Sequence, residues 1–171
     1  MANDNDAVIS VLNDLIETSK DGANGFRTAA DAVKSAEAKT LFLSRVQLIE
    51  RAAGELQAEV RRLGGDPERT GSVAATLHRG WIDLKSAVTG KSDAAILTEC
   101  ERGEEVAVKN YEDALKKDLP ADVRALVDRQ YRGTVQNLER VRALGRAAGA
   151  ASPTVAPRPA ADRDRGSPPP A

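Results

Sequence analysis

The chain has 171 residues, 41% of them apolar and 30% charged, with a formal charge of −1, a balance that suits one soluble domain plus additional material. Lys and Arg are matched by Asp and Glu, so the chain lacks the global basic field that nucleic acid demands, and nucleic acid is not an expected partner. Aromatic residues make up only 3% while Ala is abundant, which favours close helix packing over sheets filled with β-branched and aromatic side chains.

The start, Met1-Ala2-Asn3-Asp4-Asn5-Asp6, is acidic and lacks the basic and apolar segments of a secretory signal. No apolar run approaches the roughly 20 residues that span a bilayer, so the expectation is a cytoplasmic protein without a membrane partner. The single cysteine, Cys100, cannot form an internal disulfide, which agrees with a reducing compartment.

A first helix is expected from Asn5 or Asp6, either of which can cap it, to about Ser35. Val8, Leu12, Leu15, Ser19, Gly22, Phe26, Ala29 and Val33 recur at alternating steps of four and three, the period of a packing seam. Gly22 and Gly25 each cost about 1 kcal/mol relative to Ala inside a helix, so either a neighbouring backbone approaches closely there or the helix kinks. A second helix follows from about Ala38 to Leu63, with Leu41, Leu48, Ile49, Ala52, Leu56, Val60 and Leu63 facing inward. Gly64-Gly65-Asp66-Pro67 stops it, with glycine just past the C-terminus and proline beyond. The short turn makes the first two helices antiparallel.

From Asp66 to Asp93 turn residues flank a short helical stretch, roughly 72 to 88, which carries Val73, Leu77, Trp81, Leu84 and Val88. A connection of this length returns along the whole bundle, since a 26-residue helix is only about 39 Å long. The third long helix runs from Ser92 or Asp93 to Leu119, with Ile96, Leu97, Cys100, Glu104, Ala107, Val108, Tyr111 and Ala114 inward. After Pro120 a fourth helix continues to about Ala148 through Val123, Leu126, Val127, Gln130, Thr134, Asn137, Leu138, Val141 and Leu144. Six of the eight prolines follow Gly149, and residues 149–171 read as a disordered tail with too little apolar content to order it. The expected organisation is therefore a helical domain over 1–148 and this tail.

Four long helices with one long crossover between the second and third form an all-α, ferritin-like four-helix bundle. Three local motifs agree with that layout: Leu77-His78-Arg79-Gly80-Trp81, Glu101-Arg102-Gly103-Glu104-Glu105, and Tyr111-Glu112-Asp113-Ala114-Leu115. In this order and spacing the chain resembles an uncharacterised bacterial ferritin-like four-helix-bundle domain family over about residues 5 to 147. The resemblance implies that architecture and a stress-related role. It also implies a histidine in the fourth helix near Asn137, from which this chain departs.

Di-iron bundles place a Glu on each of two helices and Glu-x-x-His on each of the other two, because two hard cations need about four carboxylates and completing imidazoles. Here Ala52 and Glu55 hold the Glu-x-x-His positions on the second helix, and Thr134 and Asn137 hold them on the fourth. The seam supplies two carboxylates, Glu55 and Glu104, and no histidine. Glu17 and Glu101 lie one step off the seam, as do Asp21, Glu50 and Glu105, and are the weak candidates to complete a site. Glu104 is the residue of most interest, since a buried carboxylate must be protonated or paired. Asn137, Gln130, Thr134, Tyr111 or an Arg from a flank are its expected partners, in a polar layer that fixes helix register.

His78 lies on the crossover, where it hydrogen-bonds locally or faces water, and Trp81 anchors the crossover to the bundle. Cys100 is read as a small buried apolar residue rather than a nucleophile. No phosphate loop, Cys-x-x-Cys pair or nucleophilic triad is present. The function expected is non-enzymatic, a stress-related scaffold or interaction protein with a degraded di-metal site, no cofactor and an unidentified protein partner. The alternative is iron handling or oxidase activity with iron as cofactor. Homo-oligomer formation is a further expectation, resting on the habit of the fold class and on the apolar surplus of Ile9, Val11, Ile16 and Phe42 off the main seam, the alternative being that these residues cover the crossover.

Overall fold

The computed structural model describes residues 4–67, 81 and 92–150. Among these the chain forms four α-helices and no strand: α1 (Asp4–Ala32), α2 (Ala36–Arg62), α3 (Asp93–Leu115) and α4 (Ala121–Ala150). The expected helix over 72–88, His78 and the tail beyond 150 lie outside the described residues, Trp81 excepted.

Local chemistry sets the helix ends. Ser35 caps α2, its hydroxyl accepting from Ala38 N at 3.2 Å, and Ser92 caps α3 through Ala95 N at 3.4 Å. At the end of α2, Gly64 takes a positive φ of 85°. Its N–H donates to Arg61 O, and Gly65 N–H donates to Val60 O, which closes the helix with the paired glycine-dependent bonds of a Schellman turn. α3 ends at Leu115, four residues before the expected Leu119. The freed Leu115 and Lys117 carbonyls accept from the Arg124 guanidinium at 2.8 and 2.7 Å, so a side chain of α4 satisfies the backbone where α3 stops.

Contacts between helix ends fix the topology. The Asp93 carboxylate accepts from Lys34 N at 2.9 Å and Ser35 N at 2.8 Å, joining the α1–α2 turn to the start of α3. Arg62 meets Asp122 at 2.7 Å, joining the end of α2 to the start of α4. Hence α1 is antiparallel to α2 and α3, α4 is antiparallel to both as well, and α2 and α3 run the same way. That parallel pair requires the long crossover, and the order is that of a ferritin-like bundle.

Every seam position expected on α1 is buried. On α2 the expected stripe is rotated. Leu48 is 46% exposed and Leu41 only half-buried, while Ala38, Phe42, Arg45, Val46, Ile49, Leu56 and Val60 are buried. The side chain of Arg45 reaches the core because a carboxylate waits there, and that places Phe42 inward and Leu48 outward. Ile16 and Phe42 are both fully buried, so that part of the apolar surplus off the seam is core. The core has two apolar halves. One is built around Phe26, Phe42, Ile49 and Ile96, the other around Leu12, Ile16, Leu56 and Val123. Among the described residues no helix is long and apolar enough to cross a membrane.

Trp81 explains the interior glycines. Its ring lies edge-on to Phe26, centroids 5.3 Å apart, between Gly25 of α1 and Gly103 of α3. A Cβ built at Gly25 would fall on the indole Cε3, and one at Gly103 on its Cζ2. The neighbour that these helices make room for is therefore a side chain from the crossover, not a backbone. Gly22 meets only Ile49 Cδ1, at 3.5 Å.

Glycine-to-alanine changes consequently have opposite signs by position. Gly103→Ala is expected to lower unfolding free energy by about 1–3 kcal/mol through overpacking and to red-shift the emission of this sole tryptophan. Gly54→Ala, where no atom lies within 4 Å, is expected to raise it by about 1 kcal/mol through helix propensity. Urea denaturation followed by circular dichroism and fluorescence checks both.

Candidate functional site

Between the two apolar halves lies a polar layer to which all four helices contribute. Ser19 comes from α1, Arg45 from α2, Glu104 from α3, and Gln130, Thr134 and Asn137 from α4, and all six are buried. Glu104 is 1% exposed and holds Arg45 Nη2 at 2.5 Å. Asn137 Nδ2 donates to the same Oε1 at 3.1 Å, and Arg45 Nη2 also donates to Thr134 Oγ1 at 3.2 Å. The Thr134 hydroxyl in turn donates to Gln130 O at 3.0 Å. A continuous hydrogen-bonded path therefore joins α2, α3 and α4.

A second cluster sits one helical turn away. Tyr111 OH donates to Gln130 Oε1 at 2.9 Å. Gln130 Nε2 donates to Glu55 Oε2 at 2.9 Å and to Ala52 O at 3.1 Å. Arg129 reaches Glu55 from the outside, also at 2.9 Å. Each amide oxygen and nitrogen of Gln130 is thus assigned by its neighbours, which fixes its orientation.

Burial dominates the electrostatics of the layer. It pushes the Glu104 carboxyl upward, opposed by the Arg45 charge and by hydrogen bonds from Asn137 and Arg45. It pushes the Tyr111 phenol up to about 12, against the Ser19 hydroxyl and the Arg45 charge. Cys100, fully buried one turn from Glu104, has its thiol pushed well above the ordinary range, first by burial and then by Glu104 and Glu99. A thiol held in that form is a poor nucleophile.

The four carboxylates proposed from sequence as metal ligands do not converge. Glu104 and Glu55 both line the central cavity, but each is already bonded to a guanidinium. Glu101 lies at the α3–α4 surface against Arg142 Nε at 2.9 Å, and Glu17 lies against Lys20 at 3.7 Å. Among the described residues no group of three or more His, Cys, Asp or Glu side chains could hold a metal ion. The donor set therefore does not fit a di-iron centre. One carboxylate is fully buried, and a fixed positive charge touches it where two cations would need about four. Arg45 is the residue that sequence reasoning left out of the α2 seam. The signal was present: the stripe Phe42, Arg45, Ile49, Ala52, Leu56 keeps the steps of three and four.

Beside the ion pair is a cavity of about 320 Å³. Small residues on all four helices leave it open: Gly22, Ala52, Ala107 and Gly133. Trp81 forms part of its wall.

Because unfolded Tyr111 ionises near 10 and the folded phenol near 12, unfolding releases a proton between those values. Stability then falls as pH rises through that window. Two units correspond to about 3 kcal/mol. Urea denaturation across the window is expected to show this loss in the wild type and to lack it in Tyr111→Phe.

Comparison with known proteins agrees with this geometry. The family described as Domain of unknown function (DUF2383) matches residues 7–117. The structure is similar to that of a two-domain protein from Anabaena variabilis containing DJ-1/ThiJ/PfpI-like and ferritin-like domains, with a TM-score of 0.73 at 14% identity. That match covers 97% of this chain and 42% of the other, so this chain spans less than half of the larger protein's length. No curated protein matches the sequence. The likeness shows the all-α, ferritin-like four-helix fold.

Proposed function

We propose, for a chain that belongs to the family described as Domain of unknown function (DUF2383), a non-enzymatic role as a ferritin-like scaffold or interaction protein that works without iron. The observation that carries this reading is the Arg45 guanidinium seated on Glu104 in the central layer. A guanidinium cannot lose its proton in a protein, so a metal cation entering the layer would meet a permanent like charge on the ligand it needs. The same pair gives physical support to the stress-related role that the family resemblance implies: a bundle whose centre is held by its own charges keeps its fold when iron is scarce or chelated.

The alternative, iron handling or oxidase chemistry, requires Glu55 to leave Arg129 within the cavity, and Glu17 and Glu101 to leave Lys20 and Arg142 and turn inward. Each would exchange an existing charge partner for a site that already holds Arg45. Homo-oligomerisation and a cytoplasmic location belong to the same proposal as its expected setting.

Metal content tests the reading. After anaerobic incubation with ferrous iron and desalting, the full chain is expected to carry iron only at background by inductively coupled plasma mass spectrometry. Near-stoichiometric iron that a Glu104→Ala variant loses would overturn it.

A further inference from the structure

The scaffold reading leaves the central cavity unused. Its volume of about 320 Å³ falls within the range of small-molecule pockets, roughly 300–1,000 Å³. Close-packed interiors do not keep such space by accident, since unfilled volume forfeits dispersion contacts. Here it is bounded by apolar groups, Leu48, Ile49, Val106 and Trp81, and by the balanced Arg45–Glu104 pair.

The cavity reaches the edge between α2 and α4, the loosest of the neighbouring helix pairs. Leu48, 46% exposed, stands there beside two guanidinium groups, those of Arg51 and Arg129. They have one carboxylate between them. Glu55 is engaged by Arg129 and Gln130, both at 2.9 Å, and Arg51, one turn away on the same face of α2, shows no ion pair or hydrogen bond among the described residues. The α2–α4 edge therefore carries one more guanidinium than carboxylate above an apolar interior, while the wall as a whole, with Asp21, Glu55 and Glu104 against Arg45, Arg51 and Arg129, is balanced. The remaining acid of the wall, Asp21, comes from α1. Deeper in, Arg45 Nε is a buried donor without an acceptor among the described residues.

The geometry points to a binding site for a small monoanionic amphiphile, a carboxylate with a compact apolar body. The body fills the cavity against Ile49, Val106 and Trp81, and the carboxylate rests on Arg51 and Arg129 at the rim. Trp81, the one tryptophan of the chain, reports occupancy directly because it lines the cavity.

The test uses the full chain and two probes of equal chain length, octanoate below its micelle-forming concentration and neutral octanol, followed by calorimetry and by Trp81 emission. Octanoate is expected to bind saturably and about tenfold more tightly than octanol, the scale of one charge-assisted hydrogen bond. Arg51→Gln is expected to bring octanoate down towards octanol. Ala107→Leu, which fills the cavity while favouring the helix, is expected to abolish binding of both, and Ala52→Leu serves if that variant fails to fold. Absence of saturable binding in the wild type, or binding unchanged in a folded cavity-filled variant, would overturn the site. Octanol binding as tightly as octanoate would overturn the anionic class.

Discussion

A guanidinium and a carboxylate enter a bundle core only together. Removing either from water costs several kcal/mol, and their mutual attraction returns this only when the geometry is close and the remaining donors and acceptors are met. Arg45 and Glu104 satisfy most of those terms at 2.5 Å, with Asn137 on the carboxylate and Thr134 on the guanidinium. Because the two charges come from α2 and α3, and both supporting groups from α4, the pair sets the relative register of three helices at once. A slip of one turn in α2 or α3 would leave a charge buried alone, and a slip in α4 would strip the pair of its hydrogen-bonding support. The apolar halves on either side contribute most of the burial, but apolar packing tolerates alternative registers in a way that this pair does not.

The same constraint shapes the space around it. A layer that must seat an arginine, a glutamate and three hydrogen-bonding side chains of α4 cannot also pack to full density with large apolar residues. The small residues Gly22, Ala52, Ala107 and Gly133 leave the cavity beside the pair. Trp81 then uses the glycines of α1 and α3 to insert its ring, so a residue of the connection between α2 and α3 becomes part of the cavity wall. Charge pairing, cavity and anchor are thus one arrangement, in the region where a ferritin-like bundle holds metal.

How much of this the sequence discloses depends on the residue. The α1 seam was legible in full because its apolar positions keep a strict heptad rhythm. The end of α2 was legible because Gly64-Gly65 has one local solution. Glu104 was legible as an acid on an apolar stripe, and Asn137 as a partner. Arg45 is legible only in its spacing, which fits the stripe Phe42, Arg45, Ile49, Ala52, Leu56; its chemistry points the other way, since an arginine on a helix is ordinarily solvated, and without it Leu48 falls in the core and Phe42 off the seam. Only the three-dimensional meeting of two charges, 59 residues apart in sequence, reverses that assignment. The separation of Glu17 and Glu101 from the centre is illegible for the same reason, because whether an off-seam carboxylate turns inward depends on the cation beside it, here Lys20 and Arg142.

Arg45 and Glu104 act as one unit, and a double-mutant cycle measures their coupling. Unfolding free energies of Arg45→Leu, Glu104→Leu and the double variant are compared with the wild type by urea denaturation. Each single change is expected to cost about 3–5 kcal/mol by leaving the other charge buried and unpaired. The double change is expected to cost far less than their sum, because neither charge then remains. Single effects that simply add would show that the two side chains do not depend on each other, and would contradict the account.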